Sequence, residues 1–211
     1  GKRKRADYCL FAQPNRPIAI IEAKDNKHTV GSGMQQGKDY AEILDVPFVF
    51  SSNGDGFLFH DQTGQSDPIE QTLSLDEFPS KQELWEKYLE WKDLSNIDEK
   101  TRELVTSPNH SDARGKTPRY YQQNAINRVL DAIAKGQRRL LLVMATGTGK
   151  TFTAFNIIWR LWKSKQVKRV LFLADRNILV DQTMVNDFQP FKDVMTKMGS
   201  HSVDDNGNPD T

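Results

Sequence analysis

The segment that most restricts the fold is Ala145-Thr146-Gly147-Thr148-Gly149-Lys150-Thr151. It follows the apolar run Leu140-Leu141-Leu142-Val143-Met144 and opens a stretch with helical periodicity. Glycines at Gly147 and Gly149 let backbone N–H groups turn toward a triphosphate with no side chain in the way. A helix that starts at the same point adds partial positive charge. Lys150 can then reach the β- and γ-phosphates, and the Thr151 hydroxyl can ligate Mg²⁺. Met144 stands where the general GxxxxGK[ST] pattern has its first glycine. The bland reading is a glycine-rich turn with no ligand; the expected strand before it, the helix after it and the Gly-Lys-Thr triplet together argue for nucleotide binding.

Charge is distributed unevenly around this loop. Of the 211 residues, those numbered 1–118 hold 15 Lys/Arg and 20 Asp/Glu, whereas 119–200 hold 14 and 5. A basic segment attracts polyanions such as nucleic acid or nucleotide, although lysines also serve simply to solubilise helices. No run approaches about 18 apolar residues, so no membrane span is expected. The basic start Gly1–Arg5 has no apolar stretch behind it, so no secretory signal is expected. A lone Cys9 excludes an internal disulfide and suggests a reducing, cytoplasmic location.

A second constellation lies near the start. Glu22-Ala23-Lys24 fits the [DE]xK pattern, but so do Asp25–Lys27, Glu90–Lys92 and Asp98–Lys100. Context separates them, because only Glu22–Lys24 ends an apolar run that reads as a strand, Pro17–Lys24. Residues i and i+2 of a strand share a face, so Glu22 and Lys24 are expected to point the same way. Asp7, on the preceding strand candidate, can supply a second carboxylate. Two carboxylates beside a lysine suit phosphodiester hydrolysis: Asp7 and Glu22 would hold Mg²⁺, and Lys24 would position the nucleophile or stabilise developing charge. Spacing alone fits a cross-strand Glu–Lys ion pair equally well.

Hydrophobic patterning predicts strands at Tyr8–Phe11, Pro17–Lys24, Pro47–Ser51 and Phe57–His60, with a helix at Met34–Leu44 and a tight turn at Asn53-Gly54. Residues 76–103 read as acidic and helical, anchored by Leu84, Trp85, Tyr88, Leu89 and Trp91. Residues 107–118 are rich in Pro, Asn and Gly and read as a linker. Beyond them come a helix at Arg119–Lys135, a strand at Arg139–Met144, a helix at Lys150–Lys163, a strand at Arg169–Ala174 and a helix at Asn177–Phe188. That alternation predicts a parallel α/β sheet. The expected fold class is thus α/β: a mixed sheet first, then the start of a parallel lobe.

Several motifs carry a family resemblance. Ala-Thr-Gly-Thr-Gly-Lys-Thr resembles motif I of superfamily 2 helicases and translocases, where the first glycine is not required. Arg119-Tyr120-Tyr121-Gln122 resembles their Q motif, which implies that Gln122 reads the adenine edge; packing and helix capping would use the same residues. Leu171-Phe172-Leu173-Ala174-Asp175-Arg176, with Gln182, resembles motif Ia, which implies DNA-backbone contacts by Arg176 and Gln182; Arg176 beginning an ordinary surface helix is the plainer reading. Arg5-Ala6-Asp7-Tyr8, then Pro17–Lys24, then Gln35–Ala41 resembles the nuclease domain of the type I restriction-modification restriction (R) subunit. Its QxxxY element falls on Gln36 and Tyr40, one helix face apart, implying DNA contact by both; without the family, Tyr40 reads as core and Gln36 as merely exposed.

The resemblance covers residues 3–62 and 119–190, and its weight lies in the order of the motifs. It implies a restriction-endonuclease-like, PD-(D/E)xK-type nuclease at 1–75, an acidic helical connector and linker at 76–118, and the first part of a RecA-like P-loop lobe at 119–211. ATP and Mg²⁺ are the implied cofactors. Double-stranded DNA and methyltransferase and specificity subunits are the implied partners. The nucleotide would be held by Arg119, Gln122, Thr146, Gly147, Thr148, Gly149, Lys150 and Thr151. A type III restriction or DNA-repair translocase with a similar motor is the alternative enzyme; a non-catalytic nucleotide-gated DNA-binding module is the alternative of another class. No DEAD or DEAH tetrad follows residue 151, the pair Asp204-Asp205 sits in a polar stretch, and only six residues precede Asp7. The expectation is therefore a window of a larger subunit, with weak nucleotide binding and negligible ATP hydrolysis on its own.

Overall fold

A computed structural model of the chain describes residues 5–111, 115–174, 184 and 186–198. Two compact units are present, residues 1–169 and residues 170–211. The first contains a five-stranded sheet in the order β1 (Tyr8–Gln13), β2 (Arg16–Ala23), β3 (Phe48–Ser52), β4 (Phe57–Asp61) and β5 (Glu70–Leu73). Only β2 and β3 are parallel; helix α1 (Met34–Leu44) makes the crossover between them.

Alternation along the central strands separates two cores. Phe48, Phe50 and Phe59 face helix α2 (Lys81–Trp91), where Leu84, Trp85, Tyr88 and Leu89 close the layer. Ile20 and Val49 face α1 and pack on Met34 and Ala41. The apolar anchors expected in 76–103 are the buried ones, but the segment is not one helix. A 3-10 turn at Leu75–Glu77, α2 and α3 (Glu99–Thr106) divide it, and Ser80 and Asp98 begin the two helices by accepting from Glu83 N and Thr101 N. Strand β5 was not expected, because Glu70-Gln71-Thr72-Leu73 has no apolar alternation; as an edge strand it needs none. The connection after β3 spans residues 53–56 rather than two residues, with Gly54 at φ 96°.

Helices α4 (Tyr120–Ala134) and α5 (Lys150–Lys163) form as predicted. Ile126 and Leu130 of α4 pack against Leu104 of α3 and Ile157 and Leu161 of α5. Packing continues across residues 118–119. Arg16, fully buried at the start of β2, grips Asp131 of α4 with two bonds of 2.6 and 3.0 Å and donates its Nε to Val105 O. Arg160 of α5, equally buried, donates to Asn127 Oδ1, Leu104 O and Val105 O. Burial and the like charge of Arg16 push the Arg160 guanidinium down to about 9. The expected linker is fastened where it is described: Ser107 O accepts from Asn15, Asn109 donates to Gln123, and the His110 ring packs edge-on against Phe155 and Trp159.

The strands expected at Arg139–Met144 and Arg169–Ala174 are corrected. Neither segment is a strand, and Leu141 and Leu173 are 89% and 79% exposed. A strand exists by ladder bonds to a neighbour, which apolar composition cannot supply; among the described residues only residues 8–73 form a sheet. The helix expected at Asn177–Phe188 falls mostly outside the described residues. In the second unit the Phe188 ring packs at a tilt against Phe172 and against Phe191 of a 3-10 segment at Gln189–Val194.

Because Asp131 neutralises a wholly buried Arg16, Asp131→Ala is expected to destabilise the protein by about 3–5 kcal/mol, measured as a shift in urea-unfolding free energy. A change below about 1 kcal/mol would contradict this account of the core.

Candidate functional site

The carboxylate–lysine site forms at the end of β2. Ile20, Glu22 and Lys24 lie on the face covered by α1, so the shared orientation of Glu22 and Lys24 expected from strand periodicity is present. Asp7, just before β1, lies across the antiparallel pair. Its Oδ2 accepts from Ala23 N at 2.9 Å, and its own N–H donates to Glu22 Oε1 at 3.4 Å. Lys24 Nζ is 3.9 Å from Glu22 Oε2. Among the described residues no group of three or more His, Cys, Asp or Glu side chains is placed to hold a metal ion.

Helix α1 reaches this site because two glycines let it approach. A Cβ on Gly33 would lie 2.8 Å from Glu22 Cβ, and one on Gly37 2.5 Å from Val49 Cγ1. Gly33 N donates to Ser51 Oγ, which ties the start of the helix to β3. The close approach presents Gln36 to both charged partners. Its Nε2 donates to Glu22 Oε2 at 2.7 Å, and its Oε1 accepts from Lys24 Nζ at 3.3 Å. Tyr40, one turn on, packs half-buried against the Ile20–Val49 core with its hydroxyl 3.5 Å from Gln36 Nε2. The amide of Gln36 therefore serves the carboxylate and the lysine. Sequence reasoning missed Gly33, Gly37 and Ser51 as its supports; the four-residue Gly33–Gly37 spacing was the readable signal.

Glu22 has no exposed surface. Burial, and then the charge of Asp7, hold its carboxyl above the usual glutamate range, against smaller opposing contributions from the Asp7 N–H and from Lys24. Two carboxylates pressed together with one desolvated have the electrostatic character of a cation-binding pair, so the donor set fits a divalent metal ion.

The glycine-rich loop lies at the other candidate site. Gly147 and Gly149 adopt φ of 77° and 82°, and Gly149 caps the start of α5. Thr148 Oγ1 donates to Ala145 O, and Lys150 Nζ lies 3.3–3.4 Å from the carbonyls of Ala145 and Met144. Gln122 is buried beneath the loop. It donates Nε2 to Thr148 O at 2.8 Å and accepts from Arg119 N at 2.9 Å, while Tyr121 Oη reaches the same carbonyl at 3.3 Å. A Cβ on Gly149 would collide with the Gln122 amide, so glycine is needed there for space as well as for backbone conformation. Gln122 thus caps α4 and supports the loop. Thr151 is half-buried in the first turn of α5, and Arg119 and Thr146 are exposed. Left-handed glycines followed by a helix N-terminus fit a phosphate chain. Arg176 and Gln182 lie outside the described residues.

Comparison with known proteins agrees with both ends of the chain. The family model for the type I restriction enzyme R protein N terminus matches residues 1–79. The model for the type III restriction enzyme res subunit matches residues 115–210. The chain is 56% identical over 202 residues to the type I restriction enzyme EcoAI endonuclease subunit of Escherichia coli, covering 95% of this chain and 25% of that protein. It is 29% identical over 230 residues to the EcoKI endonuclease subunit of Escherichia coli strain K12, covering 87% and 19%. A solved fragment structure described as an HsdR subunit of a type I restriction enzyme from Vibrio vulnificus YJ016 matches with a TM-score of 0.68 and 44% identity, covering 78% of this chain and 30% of that one. The chain therefore spans between about a fifth and a quarter of the length of these two curated relatives. No helix among the described residues is long and apolar enough to cross a membrane. With these matches at both ends, the chain is homologous to the endonuclease (R) subunits of type I restriction enzymes.

Proposed function

We propose that this chain carries the DNA-cutting site and the nucleotide-binding end of a type I restriction subunit. In this reading the whole protein uses ATP to translocate double-stranded DNA and cleaves it with Mg²⁺, together with methyltransferase and specificity subunits. Residues 1–75 are the restriction-endonuclease-like nuclease, 76–118 the connector and 119–211 the first part of a RecA-like lobe. The observation that carries the reading is the bridge by Gln36 between Glu22 and Lys24 beside Asp7. A structural ion pair on a strand end needs no amide from a neighbouring helix, nor a glycine-lined approach to deliver it.

Asp7 and Glu22 would hold Mg²⁺, which when bound activates water and neutralises charge on the scissile phosphate. The chain's own contribution is positional. Gln36 fixes Glu22 through one end of its amide and steers the Lys24 ammonium with the other, leaving that cation beside the carboxylates to stabilise a developing oxyanion. At the second site, Gly147 and Gly149 would admit the phosphates of ATP to the start of α5, with Lys150 and Thr151 on that helix. Arg119, Thr146 and Thr148 line the loop, and Gln122 holds it from below. Arg176 and Gln182 are proposed DNA-backbone contacts, and Tyr40 supports Gln36 from the core side. The match of residues 115–210 to the type III res subunit model favours one second reading, a type III-like translocase; dependence of cleavage on companion methyltransferase and specificity subunits separates the two.

In the full-length protein, Lys24→Ala and Asp7→Asn are each expected to lower DNA cleavage by about 10²-fold or more while leaving DNA-stimulated ATPase within about twofold. Retained cleavage in both variants would refute the assignment of Asp7, Glu22 and Lys24 as the nuclease site.

The raised Glu22 pKa also sets a pH dependence. The folded state binds this proton more tightly than the unfolded chain. Its contribution to stability is therefore complete below the ordinary glutamate value and is lost as pH rises through Glu22's folded value. Glu22→Gln should remove that dependence, keep an acceptor for Gln36, melt no lower than the parent at neutral pH, and abolish cleavage. A variant whose melting temperature follows pH as the parent's does would show that Glu22 is not the perturbed group.

A further inference from the structure

The first unit carries a strongly cationic end that neither site uses. Helices α4 and α5 run parallel. Gln122 in the first turn of α4 meets Thr148 just before α5, Asn127 meets Arg160, and Ile126 and Leu130 share a core with Ile157 and Leu161. Their C-termini therefore lie at one end, about 20 Å of helix away from the phosphate loop. Lys135, Arg138 and Arg139 follow α4 there, and Lys163, Lys165, Lys168 and Arg169 close and follow α5; all seven are exposed.

Among the described residues, Lys135 is paired with Asp93 at 3.5 Å and Lys163 lies over the rings of Trp159 and Trp162. No ion pair is formed there by Arg138, Arg139, Lys165, Lys168 or Arg169. The nearby acids are Asp93, Asp98 and Glu99; Asp98 caps Thr101 N, and α3 is brought alongside by Gln166 donating to Lys100 O. Cations in the last turn of a helix are ordinary complements to its dipole. Arg138, Arg139, Lys168 and Arg169 lie beyond the helices, where that effect has faded.

Lys165 belongs to the same cationic end. The two helices end in the same reversal, and its left-handed position is Gly136 after α4 (φ 83°) but Lys165 after α5 (φ 55°). Glycine is the favoured residue at such a position, and a side chain there is strained. Asp45 after α1 and Asp93 after α2 take the same conformation (φ 57° and 52°), so this is a recurrent helix ending, and at Lys165 it carries a further cation.

We propose that Arg138, Arg139, Lys165, Lys168 and Arg169 form a contact surface for the DNA phosphate backbone, separate from both the phosphate loop and the carboxylate site. The inference rests on the DNA-handling reading given above. Excess unpaired cations on two adjacent turns suit a regular row of phosphates. Such a surface would hold a stretch of duplex on the lobe independently of nucleotide state.

The test is salt-dependent binding of a fluorescent duplex of about 30 base pairs by the full-length protein, read by anisotropy. For Arg138→Gln, Arg139→Gln, Lys165→Gly and Lys168→Gln combined, the slope of log affinity against log salt should become shallower by about 3–4, and affinity at low salt should fall by about 10²-fold or more. Lys165→Gly alone guards against misfolding: it relieves the positive φ, so it should melt no lower than the parent yet make the slope shallower by about 1. A parent that binds the duplex with an unchanged slope in both variants overturns the surface and leaves the nuclease reading intact. Loss of methyltransferase assembly with that unchanged slope assigns the patch to a protein partner and equally overturns it. A parent with no salt-dependent duplex binding overturns both readings.

Discussion

The interaction on which the rest of this structure depends is the buried grip of Arg16 on Asp131. Arg16 opens the strand that carries Glu22 and Lys24 at its far end, and Asp131 lies on the helix whose first turn supports the phosphate loop. The pair is reinforced at Val105 O, where Arg16 and Arg160 both donate. Two buried guanidiniums meet at one carbonyl, and only one of them is paired with a carboxylate, an arrangement that an apolar core of equal volume could match or exceed in stability. Its value lies in register. Charged groups with fixed hydrogen-bonding geometry tolerate only one alignment of strand and helices, whereas aliphatic side chains tolerate several. The loop end and the carboxylate end are thereby parts of one compact unit.

The carboxylate site is built by the reverse logic, since it accepts unfavourable electrostatics. Glu22 is wholly buried beside Asp7, and what holds it is a neutral amide and a lysine at the limit of contact. Such a site persists only if its surroundings are rigid. The rigidity comes from below, where Ile20 and Val49 pack on Met34 and Ala41 and where Gly37 lets the helix sit directly on Val49. Larger residues at Gly33 or Gly37 would push Gln36 away from both charges. The two glycines, both set against Glu22, thus fix how Gln36 meets Glu22 and Lys24.

The positions of these elements were readable in the sequence to different degrees, for physical reasons. Helices α1, α4 and α5 and strands β2 to β4 were legible because their apolar residues recur at the period of the element that buries them. The shared face of Glu22 and Lys24 followed from the same period. The inward turn of Gln36 was not legible. A QxxxY spacing gives the helix face but not its distance from the sheet, which two glycines decide. Gln122 is a similar case: its motif placed it near the nucleotide loop, but its bonds to Arg119 N and Thr148 O depend on how α4 sits under that loop.

The larger discrepancy, at residues 139–144 and 169–174, has a different origin. Apolar runs of five or six residues are compatible with a strand, yet compatibility is a property of the segment and a ladder is a property of a pair. Leu141 and Val143 are both more than four-fifths exposed, so neither the ladder nor the burial that would make this run a strand is present among the described residues. The phosphate loop nonetheless keeps its left-handed glycines and its helix start. Those features are local: they depend on Gly147, Gly149 and the N-terminal turn of α5, with Gln122 beneath them, and not on the strand expected before them. Backbone geometry set by a few adjacent residues therefore forms without a neighbouring ladder, whereas a strand cannot.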